Sequence, residues 1–460
     1  MASRNISRRG FVCAAAGLFA STGRGAQRAP NLIIILADDL GYGDLGCYGS
    51  EIPTPNLDRM AKEGARLTQF YSASPVCSPS RAALLTGRYP VRTGVTRVLL
   101  PTDSIGLSSS ETTIGKVLKQ QDYRTMCVGK WHLGVKQDHL PTQHGFDSFY
   151  GLLYSNDMSP LPLMSGTRTL EELRDQSNLT ARYTEQAVNF ITAQSEQPFF
   201  LYLAHSMPHI PLAASAAFHG KSGLGAYGDA VMEMDWSVGK ILEALKDNGL
   251  DQNTLVVFTS DNGPWYQGGA GRLRGRKGST FEGGVREPFL ARMPGTIPAG
   301  SEPIGMASMM DLLPTLAGMA GAQLPFSVDG VDILPMLKGD RAYMDRDALL
   351  YFDDQHLQCA RWGPWKLHFA RYNSPAWTPE PPGGRRNLPL PHPELYNVVA
   401  DPSEAFDLAS EHPDIVTKMR AMVDAQLQRL PDVARIAWRD TMAIQVQETP
   451  AGALPAAEGN

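Results

Sequence analysis

A chain of 460 residues is too long for one ordinary hydrophobic core and predicts one large domain with a smaller companion. Its net charge of −5, with 19% charged residues and no long block of one sign, argues against nucleic acid or an anionic membrane surface as the ligand. The five cysteines, Cys13, Cys47, Cys77, Cys127 and Cys359, are too scattered for a disulfide framework or a zinc cluster, so one of them needs another explanation.

The N-terminus runs Ser7-Arg8-Arg9-Gly10-Phe11-Val12, then an apolar stretch through Ala20, then small and polar residues up to Pro30. That order is similar to a twin-arginine export signal over residues 1–29, processed between Ala20 and Ala29 and taking Cys13 with it. It implies a bacterial periplasmic or secreted destination, with the twin-arginine translocase as a partner. No later apolar run approaches the roughly 18 residues of a membrane helix, so no membrane span is expected in the mature protein.

From Pro30 onward, short apolar runs alternate with helical patterns, which predicts an α/β domain over residues 30–341: a large, mostly parallel mixed sheet flanked by helices. The run Asn31 to Leu36 is apolar and rich in β-branched residues, as a strand buried on both faces requires. Further strands are expected at 123–128, 198–204 and 254–259, with helices at 56–64, 78–85, 112–120, 180–193 and 230–248. After Arg341 come short strands at 348–352, 365–370 and 394–399, a Pro/Gly-rich loop at 373–393 and a helix at 413–430. They predict a small antiparallel sheet with one helix over 342–440, followed by a disordered tail at 441–460.

Ligand sites of open α/β sheets form at the carboxyl ends of the strands. Asp38 and Asp39 follow the first strand, Lys130 and His132 the second, His205 and His209 the third, Asp261 and Asn262 the fourth. Singly, each has a plainer explanation: Asp38-Asp39 as a solvated turn, Asp261-Asn262-Gly263 as a tight turn, a lone histidine as a structural loop residue. Four strand ends carrying oxygen ligands and cations on one rim make coincidence a poor account. Three carboxylates and an amide are hard oxygen ligands, suited to calcium or magnesium rather than zinc. Lys130, His132, His209 and Lys277 add positive or proton-carrying groups, so the rim suits a tetrahedral oxyanion.

Ser78 is expected to cap a helix with Pro79 in its first turn and Gly87 at its end. Cys77 then stands just before a helix N-terminus, where free N–H groups favour negative charge and Arg81 is near. Chemistry alone leaves two readings of Cys77, a thiolate nucleophile with a lowered pKa or a residue converted into something else. A soft thiolate beside hard carboxylates suits calcium poorly, which favours conversion.

Cys77-Ser-Pro-Ser-Arg81, followed by Ala-Ala-Leu-Leu-Thr-Gly-Arg88, resembles the signature of the type I formylglycine-dependent sulfatases of the alkaline phosphatase superfamily. Ala37 to Asp44, Gly129 to Gly134, Ser260 to Gly263 and Lys277 to Pro288 match the same family, and the resemblance runs from about Asn31 to Leu408. It points to the arylsulfatase A and N-acetylgalactosamine-6-sulfatase branch. The resemblance implies an alkaline-phosphatase-like fold, a formylglycine made from Cys77, and one Ca2+ ion held by Asp38, Asp39, Asp261, Asn262 and residue 77. Arg81 and Lys130 would orient the modified residue, His132 would hydrogen-bond it, and His209 and Lys277, with Lys130, would grip a sulfate ester. Ser155, in Tyr154-Ser155-Asn156-Asp157, resembles a serine that approaches the sulfate, with Asn156 where a histidine is often seen. The His-x-Pro placement selects His209 over His205.

The implied chemistry is attack on sulfur by an aldehyde hydrate, with Asp261 as base and His209 as the acid for the leaving oxygen. His132 then takes the proton that lets the covalent sulfate depart. Implied partners are a sulfated small molecule or glycan and a formylglycine-generating or anaerobic sulfatase-maturing enzyme, acting in the cytoplasm before the site closes. Two other functions stay open on the sequence: a phosphatase, phosphodiesterase or phosphonate hydrolase of the superfamily, and a non-catalytic sulfate- or glycan-binding protein with Cys77 unmodified. The segment Gly268 to Gly284 fails the phosphate-loop pattern and is expected to be a flexible substrate-facing loop carrying Lys277. The segment 373–393, with Trp377, Arg385 and Arg386, either reaches the pocket rim to bind an anionic glycan or is an exposed variable loop.

Overall fold

The computed structural model describes residues 28–445 except 194, 375 and 376. The twin-arginine pattern and most of the expected tail lie outside the described residues. The large sheet contains β1 (Asn31–Ala37), β2 (Ala65–Tyr71), β3 (Arg124–Lys130), β4 (Ser148–Leu152), β5 (Pro162–Ser165), β6 (Arg168–Glu172), β7 (Phe199–Ala204), β8 (Thr254–Ser260), β9 (Arg286–Arg292) and β10 (Ala307–Ser308). Their spatial order is β10-β2-β9-β8-β1-β7-β3-β4-β5-β6.

β1 is central and parallel to both neighbours, with Ile34 opposite Tyr202 of β7 and Val257 of β8. All seven of its residues are buried, as its uninterrupted apolar run requires. The same direction continues through β7, β3 and β4, so the carboxyl ends of β8, β1, β7 and β3 share one rim. Around the sheet lie α1 (Pro55–Glu63), α2 (Cys77–Thr86), α3 (Ile114–Lys119), α4 (Leu179–Thr192), α5 (Gly225–Asp247) and α6 (Leu312–Met319). α1 and α4 pack on α5, while α2 and α3 pack on α6.

Four strands of this sheet are those expected, and six are additional. β2 lacks a readable alternation because its register against β9 shifts between Leu67 and Phe70. β9 is buried along its whole length yet carries Arg286, Glu287, Pro288 and Arg292, which hide its strand character. α5 begins at Gly225, earlier than the expected residue 230.

The small sheet is antiparallel in chain order: β11 (Leu349–Asp353), β12 (His356–Trp362), β13 (Trp365–Tyr372) and β14 (Asn387–Asn397). β12 was not expected, and β14 begins inside the segment read as a loop. Two helices, α7 (Pro413–Leu427) and α8 (Asp432–Met442), replace the single one expected. Pro431 breaks the chain between them, and α8 lays Trp438 edge-on against Phe369 of β13 at 5.3 Å. One continuous apolar core runs through both sheets. No helix among the described residues is long and apolar enough to cross a membrane.

The two sheets are also joined by a buried ionic cluster. Glu282, just before β9, accepts Lys366 Nζ of β13 at 3.0 Å and the Tyr71 hydroxyl of β2 at 2.7 Å. Glu404 accepts the Glu282 N–H at 2.6 Å and His368 Nε2–H at 2.8 Å, with Lys366 Nζ 3.4 Å away. Glu282, Lys366, His368 and Glu404 have no exposed surface. Such a cluster holds only when every charge keeps its partner. Burial pushes the Glu404 carboxyl up, and Lys366 with His368 outweighs burial and holds it at about 2, below its ordinary 4.5. Because the folded pKa is depressed, the stability it brings is present above about pH 4.5 and is lost as the pH falls toward 2. Lys366→Met should therefore destabilise the protein by about 3–5 kcal/mol in denaturant unfolding at pH 7. The gap between wild type and variant should narrow on acidification through that window; a gap constant with pH would contradict this account.

Candidate active site

The site begins at the turn after β1. The pairing of Ala37 with Ser260 sets Asp38 beside Asp261, the next residue of the neighbouring strand. Asp39 has φ +62, a left-handed conformation that aspartate tolerates, and its N–H donates to Asp261 Oδ1 at 3.2 Å. Asp44 braces the turn by accepting the Gly41 N–H at 2.9 Å, the Gly269 N–H at 2.8 Å and the Tyr227 hydroxyl at 2.6 Å.

Cys77 is the first residue of α2 rather than the residue before it. Val76 occupies the cap position without a side-chain bond, and Ser78 Oγ instead accepts the Leu99 N–H at 3.1 Å, so the expected Ser78 cap is corrected. Gly87 ends the helix as expected, at φ +65 with its N–H on the Ala83 carbonyl. Cys77 Sγ lies 3.7 Å from Asp38 Oδ1. One turn along α2, Arg81 donates from Nε to Asp261 Oδ2 at 2.9 Å and from Nη1 to the Lys130 carbonyl at 2.7 Å, with Nη2 3.6 Å from Asp38. Its direct partners are thus the carboxylates and the β3 backbone.

Lys130 ends β3 with Nζ on Asp38 Oδ2 and on Ser155 Oγ, the latter at 3.0 Å. The residue before it must be glycine: Gly129 has φ +103, and a Cβ there would lie 1.8 Å from the Ala204 carbonyl oxygen. His132 donates Nε2–H to the Leu99 carbonyl at 2.9 Å, which leaves Nδ1 buried without a partner. His209 Nε2 lies 3.6 Å from Asp39 Oδ2. Lys277 Nζ is 2.8 Å from the Asp39 carboxylate, and its backbone N–H bonds Pro264 O at 3.1 Å. His205 faces elsewhere, with Nε2 3.3 Å from Ser237 Oγ. Asp38, Asp39, Cys77, Arg81, Lys130, His132, Ser155, His209, Asp261, Asn262 and Lys277 thus gather at one rim.

Burial drives the titration of these groups, and charge partners decide its sign. Burial raises the Cys77 thiol to about 12 despite Lys130 and Lys277, so the protein's own groups do not lower it as a thiolate nucleophile requires. Burial also opposes ionisation of Asp38, but Lys130, His209 and Arg81 hold its carboxyl far below the usual range. Asp261 moves the other way, raised to about 6 by burial and by Asp38. His132 is lowered well below its usual value by burial, Lys130 and Arg81, which keeps it neutral with a lone pair on Nδ1. Burial lowers His209 too, while for Lys277 the Asp39 carboxylate outweighs burial and keeps the ammonium charged.

The donor set fits a divalent cation. Ligand atoms of Asp38, Asp39, Cys77 and His209 lie within 4.8 Å of one another. Asn262 gives its amide hydrogens to Asp39 Oδ1 at 2.8 Å and to Gly263 O at 2.9 Å, leaving Oδ1 buried and unpaired, an acceptor that a hard cation would satisfy. A cleft of about 1260 Å³ lined by Arg59, Lys240 and Arg292 includes Asp251 just before β8, so it opens on the opposite end of the sheet.

Three features escaped sequence reasoning. Glu287 is fully buried with both oxygens unpaired, and burial together with Asp261 raises its carboxyl so that it is neutral. It lay inside a matched motif without a role. The bracing Asp44–Tyr227 contact was likewise unassigned. Trp265 and Tyr266 follow the Asp261-Asn262 turn, and Trp377 of the 373–393 segment meets Trp265 edge-on at 5.5 Å. That segment therefore reaches the rim.

Residues 30–322 match the Sulfatase family, and residues 344–449 match the C-terminal region of aryl-sulfatase. The chain is 41% identical to arylsulfatase A of Bos taurus over 84% of this chain and 85% of that one. It is 38% identical to N-acetylgalactosamine-6-sulfatase of Canis lupus familiaris over 91% and 89% of the two chains. Its fold superposes on the crystal structure of Ps i-CgsB in complex with k-i-k-neocarrahexaose with a TM-score of 0.78 and 31% identity, covering 91% of this chain and 98% of that one. A rim of buried acids and cations around a helix-starting cysteine, with matches over both sheets, has one consistent meaning: the chain belongs to the sulfatase family of sulfuric ester hydrolases, which implies a formylglycine and a divalent metal ion.

Proposed function

We propose that this sulfatase removes sulfate from a sulfated sugar, using a formylglycine made from Cys77 and a Ca2+ ion held by Asp38, Asp39, Asp261, Asn262 and residue 77. The observation that carries it is the buried donor set around a helix-starting cysteine in a chain that matches the sulfatase family over both sheets. Asp38, Asp39 and Asp261 supply three negative charges, and Arg81, Lys130 and Lys277 supply three positive ones, so the protein's own charges cancel. A divalent cation then leaves the rim positive and receptive to an anionic ester, and moving a proton from residue 77 to Asp261 leaves that total unchanged.

The aldehyde hydrate supplies the attacking oxygen and a second hydroxyl for release, and the cation supplies polarisation of those oxygens. The chain's own groups do the rest. Arg81 fixes Asp261 from one side and the Asp39 N–H fixes it from the other, which aims one carboxylate at residue 77 as the base. Lys130, steadied by Ser155, and Lys277 on Asp39 present cations to the sulfonyl oxygens, where charge develops. Because Nδ1–H is committed to the Ile210 carbonyl at 2.5 Å, His209 gives a proton to the leaving oxygen from Nε2 as the imidazolium, the form that Asp39, 3.6 Å away, favours against burial. His132, neutral and open at Nδ1, takes the proton that frees the sulfate. A sugar is favoured over an aryl group by the N-acetylgalactosamine-6-sulfatase relative and by the oligosaccharide in the superposed crystal structure. The signal at residues 7–20 supports folding in the cytoplasm, modification there, and twin-arginine export to a bacterial periplasm.

The direct test compares the sulfate and phosphate esters of the same sugar. The sulfate should be preferred in kcat/KM by at least about a hundredfold, a difference of about 2.7 kcal/mol in transition-state binding. Faster phosphate hydrolysis would overturn the assignment. For the cation, chelation should lower the melting temperature of the wild type by a few degrees and Ca2+ should restore it, through binding linked to folding. Asp39→Asn should respond little to either; equal responses would remove Asp39 from the cation site.

A further inference from the structure

We propose that Trp377, Trp265 and Tyr266 form a ring-binding subsite at the mouth of the site, where the sugar ring bearing the sulfate stacks while Lys277 holds the sulfate. This rests on the sulfatase reading and adds the part of the protein that recognises the sugar.

Trp265 and Tyr266 stand immediately beyond Asp261-Asn262-Gly263-Pro264, so one turn carries cation ligands and then an aromatic pair. Pro264 accepts the Lys277 N–H at 3.1 Å, which ties that turn to the loop bearing the sulfate-gripping amine. Arg276 Nη1 bonds the carbonyls of Trp265 at 3.1 Å and Gly268 at 2.6 Å and so braces the turn. From the small sheet's side, Trp377 places its ring centroid 5.5 Å from Lys277 Nζ, within cation–π range. Trp265 meets Trp377 edge-on at 5.5 Å and Tyr266 edge-on at 4.8 Å. The three rings are thus one connected surface whose inner edge is Lys277.

These rings are not core. Trp377 is 52% exposed and Tyr266 66% exposed, a large apolar area to leave in water unless something covers it. Trp377 also sits at φ +61, an uncommon conformation for a bulky residue that has to be held in place. The loop supplies the hold: Arg385 donates to Asp353 Oδ2 at 2.8 Å and to the Ser374 carbonyl at 3.2 Å, and its guanidinium lies over Tyr372. Strain braced at the rim of a reaction centre marks positioning rather than packing.

The occupant follows from the chemistry of the ester. A single oxygen separates the sulfur from the sugar, so a sulfate held by Lys277 brings its ring against whatever stands beside that amine. The C–H faces of a pyranose carry slight positive charge and suit the electron-rich faces of indole and phenol rings.

The test uses Trp377→Ala and Trp377→Phe in the full, modified enzyme, with N-acetylgalactosamine 6-sulfate as substrate and inorganic sulfate as a ring-free competitive inhibitor. Trp377→Ala should raise KM about tenfold, with a smaller change in kcat and in the inhibition constant of sulfate, and Trp377→Phe should recover most of the loss. An unchanged KM, or an inhibition constant that rises by the same factor, would overturn the subsite while leaving sugar desulfation intact. A wild type that frees sulfate from aryl esters but from no sulfated sugar would overturn the sugar assignment, and with it this occupant.

Discussion

Asp38, Asp39 and Asp261 can share the buried carboxyl edge of β1 and β8 only because Arg81, Lys130 and Lys277 are aimed between them. Each carboxylate out of water is costly, and each cation would be equally costly alone. Their mutual cancellation makes the rim possible and sets what it will accept. The protein's own charges balance, so a divalent cation leaves the rim positive. Attraction for an anionic ester is thus a property of the whole set rather than of one residue.

The fold serves that balance at several removes. Parallel register between β1 and β8 aligns Asp38 with Asp261, and the burial of α2 from end to end fixes Arg81 beneath both. Gly129 permits β3 to approach β7 closely enough for Lys130 to reach Asp38. The small sheet holds the other side: Glu404 and Lys366 anchor Glu282, a few residues beyond Lys277 in the same loop, and Arg274 of that loop donates to the Glu404 carbonyl at 2.8 Å. The two sheets are therefore coupled at the loop that presents a site cation, and the small sheet contributes Trp377 to the rim as well.

Much of the site was legible because its ligands sit at strand ends and inside short contiguous motifs. Asp38-Asp39, Lys130, His132 and Asp261-Asn262 all follow apolar runs whose burial is dictated locally. What escaped depends on distant partners. Ser78 looks like a helix cap until Leu99 claims its hydroxyl, and β9 reads as no strand until the surrounding sheet buries Arg286 and Glu287. The sequence expected His209 as a sulfate grip and as the acid for the leaving oxygen, yet its Nε2 also lies near Asp39 and joins the grouped ligand atoms. The segment around Trp377 allowed two readings, and the contact with Trp265 that chooses between them is long-range.

The most direct test lies at Cys77, whose thiol burial pushes up to about 12. Protein should be prepared with and without a formylglycine-generating enzyme, and the peptide containing residue 77 weighed alongside the rate of sulfate release. Conversion of the thiol to an aldehyde makes that peptide about 18 Da lighter. The account predicts that activity rises in proportion to the aldehyde fraction and vanishes when that fraction is zero. Equal sulfate release from protein whose residue 77 is still cysteine would contradict it.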